Sequence, residues 1–149
     1  GNEANTGHLT SEFHRVVGAA RQSGTASTYN FQDTSQMWMA LRSASEQPGV
    51  VVTVYVDAGV ANATTVKAQL PRAIVYRSAA LPDGKLVVSH AKFVVVDHEL
   101  LLITSANFSY SAENRNIEFG ILIRDTAVAT SVEATMTSKH GSLYELVST

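Results

Sequence analysis

The sequence predicts an α/β protein built on a single mixed β-sheet with helices on both faces. Segments with helical spacing of apolar residues alternate with β-branched runs in the first half of the chain, and an antiparallel hairpin follows later. The 149 residues are 45% hydrophobic, which is enough for one domain with its own core. We expect a single domain over residues 9–138, between a flexible segment at 1–8 and a tail at 139–149.

The first half of the chain predicts three helix–strand pairs. Apolar residues at helical spacing, bounded by capping residues and by Pro or Gly, predict helices over 9–20, 35–44 and 61–70. Runs of β-forming residues predict strands over 25–31, 50–56 and 73–76. The run from Val50 to Val56 is almost continuously β-branched, so this strand is expected to be covered on both faces.

The second half predicts a hairpin, a further strand and a final helix. Leu86 to Val96 is strongly β-forming, and residues 97–99 make a tight reversal into a return strand over 100–104. Residues 117–123 predict another strand. Asp125 is placed to cap a helix that runs to about Met136.

Charge and composition exclude several classes of function. The net charge of −2 and the pI of about 6.2 exclude binding of a polyanion by overall charge, so such binding needs a local basic patch. The absence of cysteine excludes disulfides and thiolate metal sites. The chain shows no signal-peptide pattern, no long apolar run and no basic amphipathic helix, so we expect a cytoplasmic location without integral membrane association.

His90 and Lys92 are the first indication of chemistry. They lie two residues apart on a predicted strand, so both side chains point to the same face of the sheet. A lysine on a valine-rich strand is costly to bury unless it meets an anion. Together the two side chains form a small cationic site suited to a phosphate.

Polar residues near the other strand ends can complete this site. The hairpin returns Ser105 and Asn107 to the neighbourhood of His90, where a hydroxyl and an amide can donate to phosphoryl oxygens. Glu118 lies in an apolar strand and can orient His90 by accepting its Nδ1–H, although a packing pair with Lys92 or Arg124 is the alternative. Asp97 lies at the bend, which favours a structural role at the turn.

These residues resemble the signature of the phospholipase D superfamily. The pattern H-x-K-x4-D over 90–97 is followed in the expected order by Ser105, Asn107 and Glu118, although Thr104 stands where the family often has Gly. Only one such motif is present, as in the short endonuclease branch of the family, which is a homodimer with its active site at the interface. The stretch from Ser105 to Asp125 also resembles the phospholipase-D-like component of the DISARM antiphage system.

The resemblance implies a metal-independent and cofactor-free nuclease. It implies that His90 is the nucleophile, that Lys92, Asn107 and Ser105 hold the phosphoryl oxygens, and that Glu118 orients His90. Asp97 belongs to the family's catalytic motif. Basic residues near the motif are expected to guide a nucleic-acid backbone in the dimer, with Lys85 and Arg115 as substrate-binding candidates. The basic residues considered are Arg72, Arg77, Lys85, Lys92, Arg115 and Arg124.

Two other functions remain open from the sequence, and a third is disfavoured. The same cleft can hold DNA without turnover, as part of a larger defence complex. It can also act on lipid phosphodiesters. A serine hydrolase built from Ser105, His90 and Glu118 is disfavoured, because the G-x-S-x-G elbow is missing.

Overall fold

The computed structural model of the protein describes residues 13–28, 36–56, 63–79, 83, 92–104 and 120–148. Within these residues the helices are α1 (13–18), α2 (Gln36–Ser45), α3 (Ala63–Gln69) and α4 (Thr126–Thr137). The strands are β1 (Ser23–Thr28), β2 (Val51–Val56), β3 (Ile74–Ser78), β4 (Phe93–Val96), β5 (Leu100–Thr104), β6 (Gly120–Arg124) and β7 (Tyr144–Leu146).

The described strands form one mixed sheet in the order β6-β5-β4-β1-β2-β3-β7. β1, β2 and β3 are parallel to one another, and the remaining neighbours pair antiparallel. We call the edge at which β1, β2 and β3 end the carboxyl edge, and the opposite edge the amino edge. The mixed sheet predicted from the sequence is confirmed.

Helices cover both faces of this sheet, as predicted. α1, α2 and α3 pack on one face, where Phe13, Leu41 and Val54 belong to the larger apolar core. α4 packs on the other face, where Met136 and Ala129 contact the core around Phe93 and Leu101. The strands between the helical layers are therefore buried on both sides, which explains the nearly continuous apolar sequence of β2 and β4.

Asp125 caps α4 as the sequence predicts. Its backbone is extended and its side chain accepts a hydrogen bond from the N–H of Val128 at 3.1 Å. The predicted apolar face of this helix is only partly buried: Met136 packs into the core, whereas Val128 is 37% exposed.

The segment predicted as a tail contributes a strand to the sheet. β7 pairs antiparallel with β3, the N–H of Val147 donates to the carbonyl of Val75 at 2.8 Å, and Tyr144 is buried. Three residues are too few to show a β pattern in the sequence, and the strand forms because the edge of β3 offers unpaired backbone groups. The tail prediction for this part of 139–149 is therefore corrected.

The turn between β4 and β5 is tight. The N–H of Glu99 donates to the carbonyl of Val96 at 3.0 Å, and Asp97 and His98 have φ angles of 55° and 60°. Positive φ at both central residues matches the twist of a hairpin, and Asp and His tolerate it better than most residues. The predicted hairpin is thus present, and its turn lies at the amino edge.

Candidate functional site

Strand register brings the ends of several candidate segments to the carboxyl edge. β4 runs antiparallel to β1 with Phe93 opposite Ser27, so Lys92 lies where β1 ends. The N–H of Thr104 donates to the carbonyl of Lys92 at 3.0 Å, and Gly120 pairs with Thr104. The chain therefore leaves β5 and enters β6 directly beside Lys92.

Most of the predicted site residues lie outside the residues that the structure describes. Lys92 and Asp97 are described. The candidates outside the described ranges are His90, Ser105, Asn107, Glu118, Lys85 and Arg115. The described residues that lie nearest to these candidates in the chain meet at the carboxyl edge around Lys92.

Lys92 is half-buried at this edge. Side chains of β4 alternate between the two faces, with Val94 and Val96 in the core beneath α1, α2 and α3 and with Phe93 and Val95 on the α4 side. This alternation assigns Lys92 to the side of Val94. α2 follows β1 in the chain, so its positively polarised N-terminal end begins on the same side of the molecule.

Asp97 lies far from Lys92, although both belong to the H-x-K-x4-D pattern. Five residues of extended chain separate them by roughly 17 Å, from the carboxyl edge to the amino edge. The Asp97 carboxylate accepts hydrogen bonds from the backbone N–H groups of Arg21 at 3.0 Å, Gln22 at 2.8 Å and Ser23 at 3.1 Å. These contacts hold the hairpin turn against the start of β1, which favours the structural role over the catalytic one.

The structure separates the basic residues that the sequence suggested would surround the motif. Arg72 precedes β3 and Arg124 ends β6, so both lie at the amino edge, and Arg124 pairs with Glu99. Arg77 lies on β3 near the carboxyl edge, but its guanidinium pairs with Glu145 at 2.7 Å. The expected grouping of Arg72 and Arg124 around the motif was wrong, because β3 begins and β6 ends at the edge opposite to Lys92.

A second polar cluster, which sequence analysis missed, lies under α4. His98 Nδ1 is 2.9 Å from both carboxylate oxygens of Glu133, and His98 Nε2 is 3.3 Å from Ser23 Oγ. These residues, with Thr25 and Thr53, line a cavity of about 440 Å³ on the α4 side of the sheet. Nothing in the sequence signals this cluster, because its members come from β1, the hairpin turn and α4.

An aromatic group forms the adjoining wall of the cavity. Tyr55 and Tyr76 stack at 5.3 Å between ring centroids, His140 stacks on Tyr76 at 4.0 Å, and the Tyr55 hydroxyl is 2.7 Å from His140 Nε2. Burial raises the pKa of Tyr55 to about 12, with smaller contributions from Tyr76, Tyr144 and Glu133. His140, which the sequence left without a role, is thus half-buried and packed against these two tyrosines.

Comparison with known protein families identifies the fold. Residues 14–139 match the family model described as "Cardiolipin synthase, PLD-like domain". The chain belongs to the phospholipase-D-like family. This membership supports a function in phosphodiester chemistry, while the finer choice of substrate is a separate question. A search of curated proteins found no match.

Solved structures share the same fold at low sequence identity. Nuc, a phospholipase D family member from Salmonella typhimurium, superposes with a TM-score of 0.75 at 18% identity, covering 94% of this chain and 91% of that one. NucT from Helicobacter pylori superposes with a TM-score of 0.72 at 16% identity, covering 92% and 88%. A phosphatidylserine synthase from Haemophilus influenzae gives a TM-score of 0.67 at 16% identity, covering 94% of this chain but 37% of the synthase.

Among the described helices of this phospholipase-D-like chain, none combines the length and apolar character needed to cross a bilayer. His, Asp and Glu side chains of the described residues do not form a group of three or more suited to a metal ion.

Proposed function

We propose that this chain is a metal-independent phosphodiesterase that hydrolyses nucleic acid, with an active site shared between two copies of the chain. The observation that carries the proposal is the convergence of strand ends around Lys92 at the carboxyl edge. The H-x-K segment enters β4 there, and the segment containing Ser105, Asn107 and Glu118 leaves β5 and returns to β6 at the same place.

The chemistry proceeds by two in-line displacements at phosphorus. His90 of one protomer attacks the phosphorus and forms a phosphohistidine, while the partner's His90 donates a proton to the leaving oxygen. The partner's His90 then takes a proton from water, which attacks the phosphohistidine and releases the product. Lys92 and Asn107, helped by Ser105, stabilise charge on the phosphoryl oxygens, and Glu118 orients His90.

The proposed dimer is supported by an apolar pair next to the candidate site. Ile103 and Ile121 are opposite each other on β5 and β6, 45% and 62% exposed, on the sheet face that α4 covers elsewhere. Large exposed apolar side chains beside a catalytic edge suit burial by another protein surface. The single H-x-K motif also requires a second copy to supply the second histidine.

The proposal is tested by cleavage of plasmid, single-stranded DNA and RNA in excess EDTA. We expect wild-type turnover, its loss in His90→Ala, and a decrease of about a hundredfold or more in Lys92→Ala. Arg72→Ala is the matched control, because it removes an exposed positive charge at the opposite edge. Wild-type protein that is folded and dimeric but cleaves none of these substrates would contradict the nuclease proposal and favour a DNA-binding module.

The shared active site is tested by mixing subunits. Wild-type and His90→Ala chains are co-refolded in varying proportions, and cleavage is measured at constant total protein. If each site needs a histidine from both protomers, activity follows the square of the wild-type fraction. Activity in simple proportion to that fraction contradicts a shared site. Ile121→Glu is expected to reduce the dimer fraction in sedimentation and cleavage together.

Lipid phosphodiesters are the second candidate substrate. The matched family model carries the name of a cardiolipin synthase, and one solved relative is a phosphatidylserine synthase. Incubation with phosphatidylglycerol vesicles in place of DNA distinguishes the two. Headgroup release that requires His90, without DNA cleavage, would replace the nuclease proposal by a phospholipase. The narrower likeness to the DISARM component remains a prediction.

A further inference from the structure

The cluster beneath α4 places a hydroxyl, an imidazole and a carboxylate in a line. Ser23 Oγ lies 3.3 Å from His98 Nε2, and His98 Nδ1 lies 2.9 Å from the carboxylate oxygens of Glu133. When Glu133 accepts the Nδ1–H of His98, the Nε2 lone pair is directed to the Ser23 hydroxyl. A nucleophile, its base and a group that orients the base are thus within hydrogen-bond reach of one another.

The surrounding structure holds these three groups in place. His98 is in the left-handed backbone region with φ 60°, and the turn that carries it is tied to β1 through the Asp97 carboxylate. Glu133 is 17% exposed, and Thr25 donates to its second oxygen at 3.5 Å. A histidine oriented by a carboxylate at a cavity is a feature that catalytic sites share.

The cavity next to Ser23 offers a place for an acyl group. Val51 is the register partner of Ser23 and is 52% exposed, and Ile74, one strand further, is 39% exposed. Thr25 and Thr53 are register partners that lie two residues beyond this pair on the same face, and both line the cavity. The volume of about 440 Å³ is that of a small-molecule site.

We propose that Ser23, His98 and Glu133 form a second catalytic site, which hydrolyses small carboxylic esters with short apolar acyl groups. The site is separate from the H-x-K edge and does not use His90. Val51 and Ile74 bind the acyl chain, and the Thr53 hydroxyl donates to the oxyanion. The backbone N–H groups of Gln22 and Ser23 donate to Asp97, so the Thr53 hydroxyl carries that role.

The reaction is an acyl transfer in two steps. Ser23 Oγ bonds to the carbonyl carbon while its proton passes to His98 Nε2, and the tetrahedral intermediate expels the alcohol, which takes that proton. Water then gives a proton to His98 and adds to the acyl-serine carbonyl. Collapse releases the carboxylic acid and returns the proton to Ser23.

The experiment combines covalent labelling with ester hydrolysis. A fluorophosphonate is expected to form a phosphonyl ester with Ser23 and release fluoride, and peptide mass mapping locates the adduct. Hydrolysis of p-nitrophenyl butyrate is expected to fall at least about tenfold in Ser23→Ala, which retains every histidine. Ser131→Ala, a change on the exposed surface of α4, should have no effect on either reaction.

Two further variants separate catalysis from packing and from the proposed nuclease. Glu133→Gln is expected to slow labelling of Ser23 and to shift the pH profile of labelling, whereas its urea midpoint shows whether the fold is retained. His90→Ala is expected to abolish phosphodiesterase activity and leave the labelling of Ser23 unchanged. Folded wild-type protein in which Ser23 is not labelled, or butyrate hydrolysis that Ser23→Ala leaves unchanged, would overturn the proposal.

Discussion

Replacing Asp97 separates a structural role from a catalytic one for the last residue of the H-x-K-x4-D pattern. Asp97→Gly removes the carboxylate but suits the φ of 55° at this position, so backbone strain does not obscure the result. Asp97→Asn retains one oxygen as an acceptor and removes the charge. Comparison of the two variants isolates the contribution of the charged hydrogen bonds to the start of β1.

The loss of folding stability in these variants depends on which hydrogen bonds are lost. The N–H groups of Arg21 and Gln22 are exposed and regain partners in water, whereas the N–H of Ser23 is partly buried. One partly buried donor left unsatisfied costs about 1–3 kcal/mol, and the exposed pair adds a smaller amount. We expect Asp97→Gly to lower the free energy of unfolding by about 2–3 kcal/mol and Asp97→Asn by about half as much.

Urea unfolding measures this loss. With an m value of about 2 kcal/mol per molar urea, the midpoint of Asp97→Gly should fall by about 1–1.5 M. Glu99→Ala is the matched control, because it removes a carboxylate from the same turn. Its ion pair with Arg124 is solvent-exposed, so the expected change is below about 0.5 kcal/mol.

Cleavage assays supply the decisive comparison. Because Asp97 lies roughly 17 Å along the strand from Lys92, Asp97→Asn should retain wild-type kcat at temperatures below its unfolding transition. The reasoning is refuted if Asp97→Asn has the same urea midpoint as the wild-type protein yet loses turnover. That pattern would mean that the carboxylate acts in the chemistry and not in the turn.

Three further predictions concern the core and the C-terminal strand. Because the pKa of Tyr55 is raised to about 12, its contribution to stability is fully present below pH 10 and is lost as the pH rises toward about 12. Absorbance titration should show one tyrosine that ionises at higher pH than the others, and Tyr55→Phe should remove this signal. Leu101→Ala, at a side chain 1% exposed, should cost about 2–5 kcal/mol in thermal unfolding. Truncation after Ser142 removes the buried Tyr144 and Val147 and should cost about 3–5 kcal/mol, which calorimetry can measure.

For elements with a strong apolar pattern, the sequence predicted the bounds to within a few residues. The strand expected over 50–56 is observed as Val51–Val56, and the return strand over 100–104 has the observed bounds Leu100–Thr104. Both carry continuous β-branched or aliphatic runs, which are the strongest local signal for a buried strand. β7 was missed because a three-residue edge strand is held by its neighbour and not by its own pattern.

Of the predicted site residues the structure describes Lys92 and Asp97, and the roles of the others stay predictions. The H-x-K spacing identified Lys92 as an unusual charge on an apolar strand, and the structure places it where the flanking strands meet. Two of the basic residues grouped with it by sequence proximity, Arg72 and Arg124, lie at the opposite edge. The direction of the strand that carries a residue decides at which edge it lies, and this direction cannot be read from sequence proximity.

By itself, the sequence determined the α/β class, the late hairpin, the cap of the last helix and the residues that indicate phosphodiester chemistry. These are local properties, because apolar period, capping chemistry and motif spacing each depend on residues that are close together in the chain. Only the tertiary structure decided that Asp97 anchors β1, that the final strand pairs with β3, and that His98 meets Ser23 and Glu133. These contacts join residues 35 to 76 positions apart on different elements, and packing of the sheet against α4 brings them together.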